Sequence, residues 1–312
     1  MTYYVRQVAG SGLQVWRIAD DEAVHLGVTN PQGGPGSYFK AEPGETIWSA
    51  IRRQATSWFE PDGSCPFHKL TLAPGHYYPR IARPYMQRPP DGLGWNPNGL
   101  VEGNAIAIAR GQLMTLTRQL ERICQTIHPA PENLGAYGHD IRNLLILACT
   151  EVESHWRGVL AKNGVTNDRP GTRDYVALQA VMKLDAFAVS FPDHPWLLPL
   201  RPFERWGSSG KPTQELAWYD AYNAAKHDRE GNFGRATLGH VFEAIGACAI
   251  MVVAQYGVPF GFGRDSALST FFQFTSVPSW SLSEIYVSPV ESETGEWTST
   301  PYPFTSAHSS PR

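Results

Sequence analysis

Cysteine is scarce in this chain: four residues, Cys65, Cys124, Cys149 and Cys248, stand far apart among 312. Their spacing offers no disulfide framework, and three fall in helix-like apolar surroundings, so they read as small structural hydrophobes. Long apolar runs are missing too. The longest, AIGACAIMVVA at 244–254, is too short and too rich in Ala and Gly to span a bilayer, and MTYYVRQVAG lacks a basic stretch followed by an apolar one. A soluble, cytoplasmic chain with no membrane partner is expected. Neither sign of charge dominates, with 26 Lys and Arg against 29 Asp and Glu, so any attraction for nucleic acid must come from a local patch. GGPG at 33–36 lacks the Lys and Ser or Thr of a phosphate loop, and no Gly-x-Ser-x-Gly turn or fixed-period repeat occurs. Cys65, His68 and His76 lack a fourth ligand, and His139, His194 and His240 are scattered, so neither metal nor other cofactor is expected.

What is present is apolar and aromatic. Hydrophobic residues make up 42% and charged residues 18%, with ten Trp, thirteen Tyr and fourteen Phe, a balance far from that of disordered chains. The length suits one large domain with appended segments, or two domains. YYVRQV (3–8) and LQVWRI (13–18), separated by AGSG, read as a strand pair, and ETIWSAIRRQATSWFE (45–60) has a helical period. Helical patterns then occupy about 99–128, 139–164, 172–189, a stretch beginning near Thr213, and 233–256. FFQFTSVPSWSLSEIYV (271–287) alternates like one or two strands ahead of an irregular tail. The expected fold is mainly α. It comprises an N-terminal α+β segment (1–98), an antiparallel helical bundle (99–257) and a C-terminal β-rich extension (258–312).

The densest chemistry lies in WYDAYNAAKHDRE, 218–230. On a helix Tyr219, Asn223 and His227 stack in one row, with Asp220 and Lys226 to either side. Histidine is the side chain whose ordinary pKa lies near neutrality, so His227 is the candidate for proton exchange. Asn223 can orient the ring or hold a ligand oxygen, and Lys226 and Arg229 can neutralise a phosphate. The same KHDR ending also suits an ordinary helix terminus, where cationic side chains meet the negative end of the dipole. Both readings stay open.

YNAAKH, late in a helix and followed by another long apolar helix, resembles the HEPN superfamily of helical nucleotide-binding domains. Members commonly carry Arg, four to six residues, then His, with a polar residue after the Arg. Asn223 and His227 match the polar residue and the histidine, while Tyr222 stands in the arginine's place. The resemblance implies a HEPN-like bundle working as a homodimer on RNA or a nucleotide, with catalytic roles for His227 and Asn223, and Lys226 is the catalytic candidate to supply the charge the arginine would give. It implies either a metal-independent ribonuclease of a bacterial defence or toxin system or an inactive binding or scaffold protein. It extends to Glu151 on an earlier helix, expected to face His227 or, by its four-residue spacing, to form an ion pair with His155, and Arg229 and Asp220 join it as binding residues.

A second patch lies between Asp62 and Asp91. His68, Lys69, His76, Arg80, Arg83 and Arg88 alternate there with Phe67, Tyr77, Tyr78 and Tyr85, and no acidic residue intervenes. Cations among rings suit single-stranded nucleic acid, with Arg80 and Arg83 as phosphate contacts. The alternative is an extended segment wrapping the core with its arginines paired to carboxylates elsewhere.

Overall fold

The computed structural model describes residues 1–8, 12–59, 64–85, 97–167, 169–258, 262, 266–291 and 294–304. The turn expected at 9–12, the end of the helix expected at 45–60, Arg88, and the last eight residues of the tail therefore lie wholly or partly outside the description. The chain divides into two compact units. One comprises Met1–Tyr77, Arg83–Asp91 and Ser279–Thr300, the other Tyr78–Ala82, Gly92–Pro278 and Pro301–Arg312.

The first unit is built on a five-stranded antiparallel sheet. Its strands are β1 (Thr2–Val8), β2 (Gly12–Ile18), β3 (Glu22–His25), β4 (Tyr38–Lys40) and β5 (Phe67–Lys69), in the order β4-β3-β2-β1-β5. Side chains alternate across a strand, and both faces here are apolar. Trp16, Ile18, Phe39 and Phe67 lie on one face with Ile47, Ala50 and Ile51 of helix α1 (Ile47–Gln54), and Tyr4, Trp48 and Trp58 pack against them. Val5 and Val15 point the other way, onto Leu70, Ile285 and Val287. Thr46 starts α1 by accepting from the Ser49 amide at 3.2 Å. The guanidinium of Arg6 stacks 3.6 Å from the Trp58 ring centroid.

The second unit is helical. It contains α2 (Pro97–Val101), α3 (Gly103–Cys124), α4 (His139–Lys162), α5 (Thr172–Tyr175), α6 (Ala177–Met182), α7 (Ala217–His227), α8 (Arg229–Asn232) and α9 (Leu238–Tyr256). Helix α9 forms the centre, packed by α3, α4 and α7. It is long and apolar enough to cross a membrane, yet most of it is buried within the fold, as suits a core helix. The third expected helix, 172–189, is broken. Lys183 adopts a left-handed conformation (φ 51°) after α6, and Ala188–Ser190 becomes a strand paired with Gln273–Ser276. Phe187 and Val189, on either side of Ala188, suit a pleated strand.

These elements overturn the expectation of a mainly α protein. Among the described residues the fold is mixed, with 46% helix and 14% strand, and a full sheet stands where a strand pair and a short α+β segment were expected. The strands missed, β3, β4 and β5, are only three or four residues long, too short for their alternation to register against flanking loops. Of the β-rich run expected at 271–287, only Gln273–Ser276 is a strand.

Candidate functional site

Four alanines favour helix in AWYDAYNAAKH, and Trp218, Tyr219, Ala221, Tyr222 and Ala225 form its buried face. That face is anchored by aromatic packing. Trp156 of α4, fully buried, lies 5.3 Å from Tyr219, 6.3 Å from Trp218 and 4.7 Å from Trp206, centroid to centroid. The Trp218 indole donates to the Pro202 carbonyl at 3.1 Å. Helix α7 stops at Asp228, whose carboxylate caps α8 by accepting from the Gly231 amide at 3.0 Å. The aromatic anchor thus holds the start of α7 while its last turn reaches the surface. Asn223 is half-buried there, and Lys226 and His227 are exposed.

Each polar group of this turn is placed by a neighbour. Asn223 donates through Nδ2 to the Tyr219 carbonyl at 3.1 Å, which orients the carboxamide and leaves its oxygen as an acceptor. Lys226 Nζ donates to the Tyr222 hydroxyl at 2.8 Å and lies 5.0 Å from the ring centroid. That bond raises the Lys226 pKa, against a smaller opposing effect of burial, so the ammonium keeps its charge. Because Tyr222 is 1% exposed, the position where HEPN-like sequences carry arginine points into the core, and Lys226 supplies positive charge at the tip of the buried phenol. Tyr219 donates to Glu153 at 2.5 Å, and burial together with that carboxylate raises its phenol pKa strongly. Asp220 pairs with Arg235 at 2.5 Å, which neutralises the one carboxylate on α7. Arg142 of α4 donates to the Ala225 carbonyl at 3.2 Å, satisfying an acceptor in the final turn.

Glu151, expected beside His227, is engaged elsewhere. It lies 3.5 Å from Nε2 of His155 on the side of α4 that faces α9, where His155 Nδ1 accepts from Gln255 at 2.8 Å. The carboxylate that reaches α7 is Glu153. The signal was Trp156, three residues on and therefore on the same face as Glu153. Arg229 begins α8, and its side chain lies outside the described residues.

The two arginines expected to contact phosphate are built into the fold. Arg80 is bonded to Glu102 at 2.9 Å within the helical unit, and Glu102 also pairs with Lys162 at 3.0 Å. Gly158 leaves room for that guanidinium, since a Cβ there would collide with Arg80 Nη1. Arg83, 5% exposed, donates to the Glu284 carbonyl at 3.3 Å and lies 5.1 Å from the Trp280 ring centroid. Neither arginine is presented to solvent as a phosphate contact. The alternative reading, a wrapped segment with its arginines paired to carboxylates, describes Arg80, whereas Arg83 meets a backbone carbonyl and an indole ring.

Among the described residues, no group of three or more His, Cys, Asp or Glu side chains is placed to hold a metal ion. Cys149 and Cys248 are fully buried and burial raises both thiol pKa values, as suits structural thiols. What the residue patterns did not reveal is a cleft of about 520 Å³ where the end of α3 meets the start of α4, lined by Arg122, Tyr137, His139, Asp140 and Asn143 among others. Its residues come from segments that share no motif, and only the tertiary fold gathers them. The chain matches no family model, no curated protein and no solved structure.

Proposed function

We propose that this is an RNA- or nucleotide-directed, HEPN-like protein that engages the ribose-phosphate backbone through the last turn of α7. The observation that carries the reading is the joint exposure of Lys226 and His227 beside an oriented Asn223 carboxamide, on a helix whose opposite face is locked by aromatic packing. In this scheme Lys226 pairs with a phosphate, the Asn223 oxygen accepts from a ribose 2′-hydroxyl, and His227 transfers the proton. Cleavage then follows ordinary in-line chemistry. The 2′-oxygen bonds to phosphorus as its proton passes to one imidazole, and the P–O5′ bond breaks as the leaving oxygen takes a proton from an imidazolium. The products are a 2′,3′-cyclic phosphate and a 5′-hydroxyl. One acid and one base are needed and each strip holds one histidine, so the reading favours a homodimer with two facing copies of α7.

The test is incubation of the purified protein and His227→Ala with mixed RNA in EDTA. The expected result is metal-independent cleavage that the substitution reduces about 100-fold or more. Equal cleavage by both would remove His227 from the chemistry. A second reading is favoured by the buried phenol of Tyr222 in the arginine's place: a protein that binds RNA without cutting it. It is supported if neither protein cleaves yet RNA is retarded in a gel and Lys226→Ala abolishes the shift. Absence of both cleavage and binding would reject both readings.

A further inference from the structure

The cleft between α3 and α4 shares no residue with the polar turn of α7, and its chemistry differs. Its volume of about 520 Å³ is in the range of small-molecule sites, roughly 300–1,000 Å³. Tyr137, on its rim, is 59% exposed, yet its backbone is held firmly. Leu238 and Gly239, at the start of α9, donate to the carbonyls of Ala136 and Leu134, each at 2.8 Å, and Tyr137 itself forms a bridge with Thr237. Its ring meets Phe233 edge to face at 5.9 Å, and the same Phe233 supports the imidazole of His139 at 5.0 Å. Two exposed rings that line the cleft therefore share one support, Phe233, which limits the entropic cost to a ligand that stacks on them.

The remaining walls are polar in a specific combination. Arg122, in the last turn of α3, supplies a planar cation; Asp140, in the first turn of α4, supplies a carboxylate; Gln119 and Asn143 supply carboxamides. Ile123, Ile127, Ile141 and Leu144, with Thr126 and Gly138, line the rest. Aromatic rings with carboxamides nearby suit a nucleobase, which offers a stacking face and hydrogen-bonding edges. A carboxylate suits the hydroxyls of a ribose, and one guanidinium suits one phosphate group, which it can hold with two parallel bonds. The further phosphates of a polyphosphate would meet no second arginine and no lysine among the lining residues.

We infer that the α3/α4 cleft is a binding site for a nucleoside 5′-monophosphate, free or at the end of an RNA strand, with Tyr137 and His139 stacking the base, Arg122 holding the phosphate and Asp140 the ribose. This goes beyond the reading of α7 and stands or falls separately from it.

Calorimetric titration of the full chain with AMP, UMP, ATP, adenosine, inorganic phosphate and a 5′-phosphorylated tetraribonucleotide tests it. At least one monophosphate is expected to bind more tightly than the matching nucleoside, than phosphate alone and than ATP. Arg122→Ala should weaken it at least tenfold, with partial recovery in Arg122→Lys, and Tyr137→Ala at least fivefold. Binding of the mononucleotides identifies the free nucleotide as sufficient; binding of the tetranucleotide alone identifies an RNA end. Because Arg122 and Tyr137 are exposed, the variants should melt with the parent, which circular dichroism checks. No heat with any nucleotide at millimolar concentration would overturn the inference, as would binding unchanged in both Arg122→Ala and Tyr137→Ala.

Discussion

Two histidines of the helical unit each follow a polar partner by four residues, and they have opposite fates. His227 follows Asn223 and ends an exposed turn; His155 follows Glu151 and is 6% exposed between α4 and α9. Burial first, then the charge of Arg80, pushes the His155 pKa down to about 4, so this ring is neutral at physiological pH. Its Nδ1 accepts from Gln255, whereas its Nε2 approaches Glu151 only at 3.5 Å, an ion-pair distance without a proper hydrogen bond. Helical spacing brings two side chains onto one face, and the packing of that face decides whether they form a core contact or a surface able to meet a ligand. His155 belongs to the first kind and His227 to the second.

The sharpest way to break this contrast is at the anchor between the two regions. Trp156→Ala removes a fully buried ring that touches Tyr175, Phe203, Trp206, Trp218 and Tyr219, and should cost about 3–5 kcal/mol in urea unfolding. Next is the titration of His155. Its folded pKa of about 4 lies below the ordinary 6.5, so the unfolded chain binds the extra proton first. The stabilisation is complete above about pH 6.5 and is lost as pH falls towards 4, a change of about 3 kcal/mol. Glu151, whose burial raises its own pKa, opposes part of it on acidification. His155→Gln should flatten the stability profile in that window.

His227→Ala should do the reverse, reducing RNA cleavage about 100-fold while leaving stability within about 0.5 kcal/mol of the parent. A smaller effect is expected from Tyr219→Phe, which deletes the bond to Glu153 and should cost about 1–2 kcal/mol in the same unfolding assay. The smallest is local. Burial disfavours the Glu215 carboxylate, but the Ser209 hydroxyl and the amides of Ser209, Gly207 and Lys211 outweigh it and hold the pKa at about 2. The loop 207–211 should therefore keep its amide protection above about pH 4.5 and lose it as pH falls towards 2, measurable by hydrogen exchange.

Long periodic elements were legible from residues alone. The helices expected at 139–164 and 233–256 are α4 (His139–Lys162) and α9 (Leu238–Tyr256), and the paired strands at 3–8 and 13–18 are β1 and β2 within two residues of their ends. Short elements were not, because β3 to β5 carry too few residues to repeat a pattern, and the break at Lys183 depends on a pairing with Gln273–Ser276 about ninety residues away. The stretch expected to begin near Thr213 places that hydroxyl against Thr172 at 2.7 Å, and α7 starts later, at Ala217. At the candidate site, the row Tyr219, Asn223, His227 could be read directly since helical geometry generates it. Glu153, Arg142 and Arg235 could not, as their approach to α7 depends on how α4 and the segment after α8 pack. Arg80 and Arg83 misled for the same reason: charge beside aromatic residues looks alike in sequence whether the charge faces a phosphate or a buried partner.

The most direct measurement follows the histidine ring signals by NMR while single-stranded RNA is titrated into the protein in EDTA, with His227→Gln and His155→Gln used for assignment. The expected result is a saturable shift of the His227 ring signals and the Asn223 side-chain amide, with His155 unmoved. RNA that leaves the His227 and Asn223 signals unchanged at saturating concentration would contradict the assignment of this turn as the site where the chain meets ribose and phosphate.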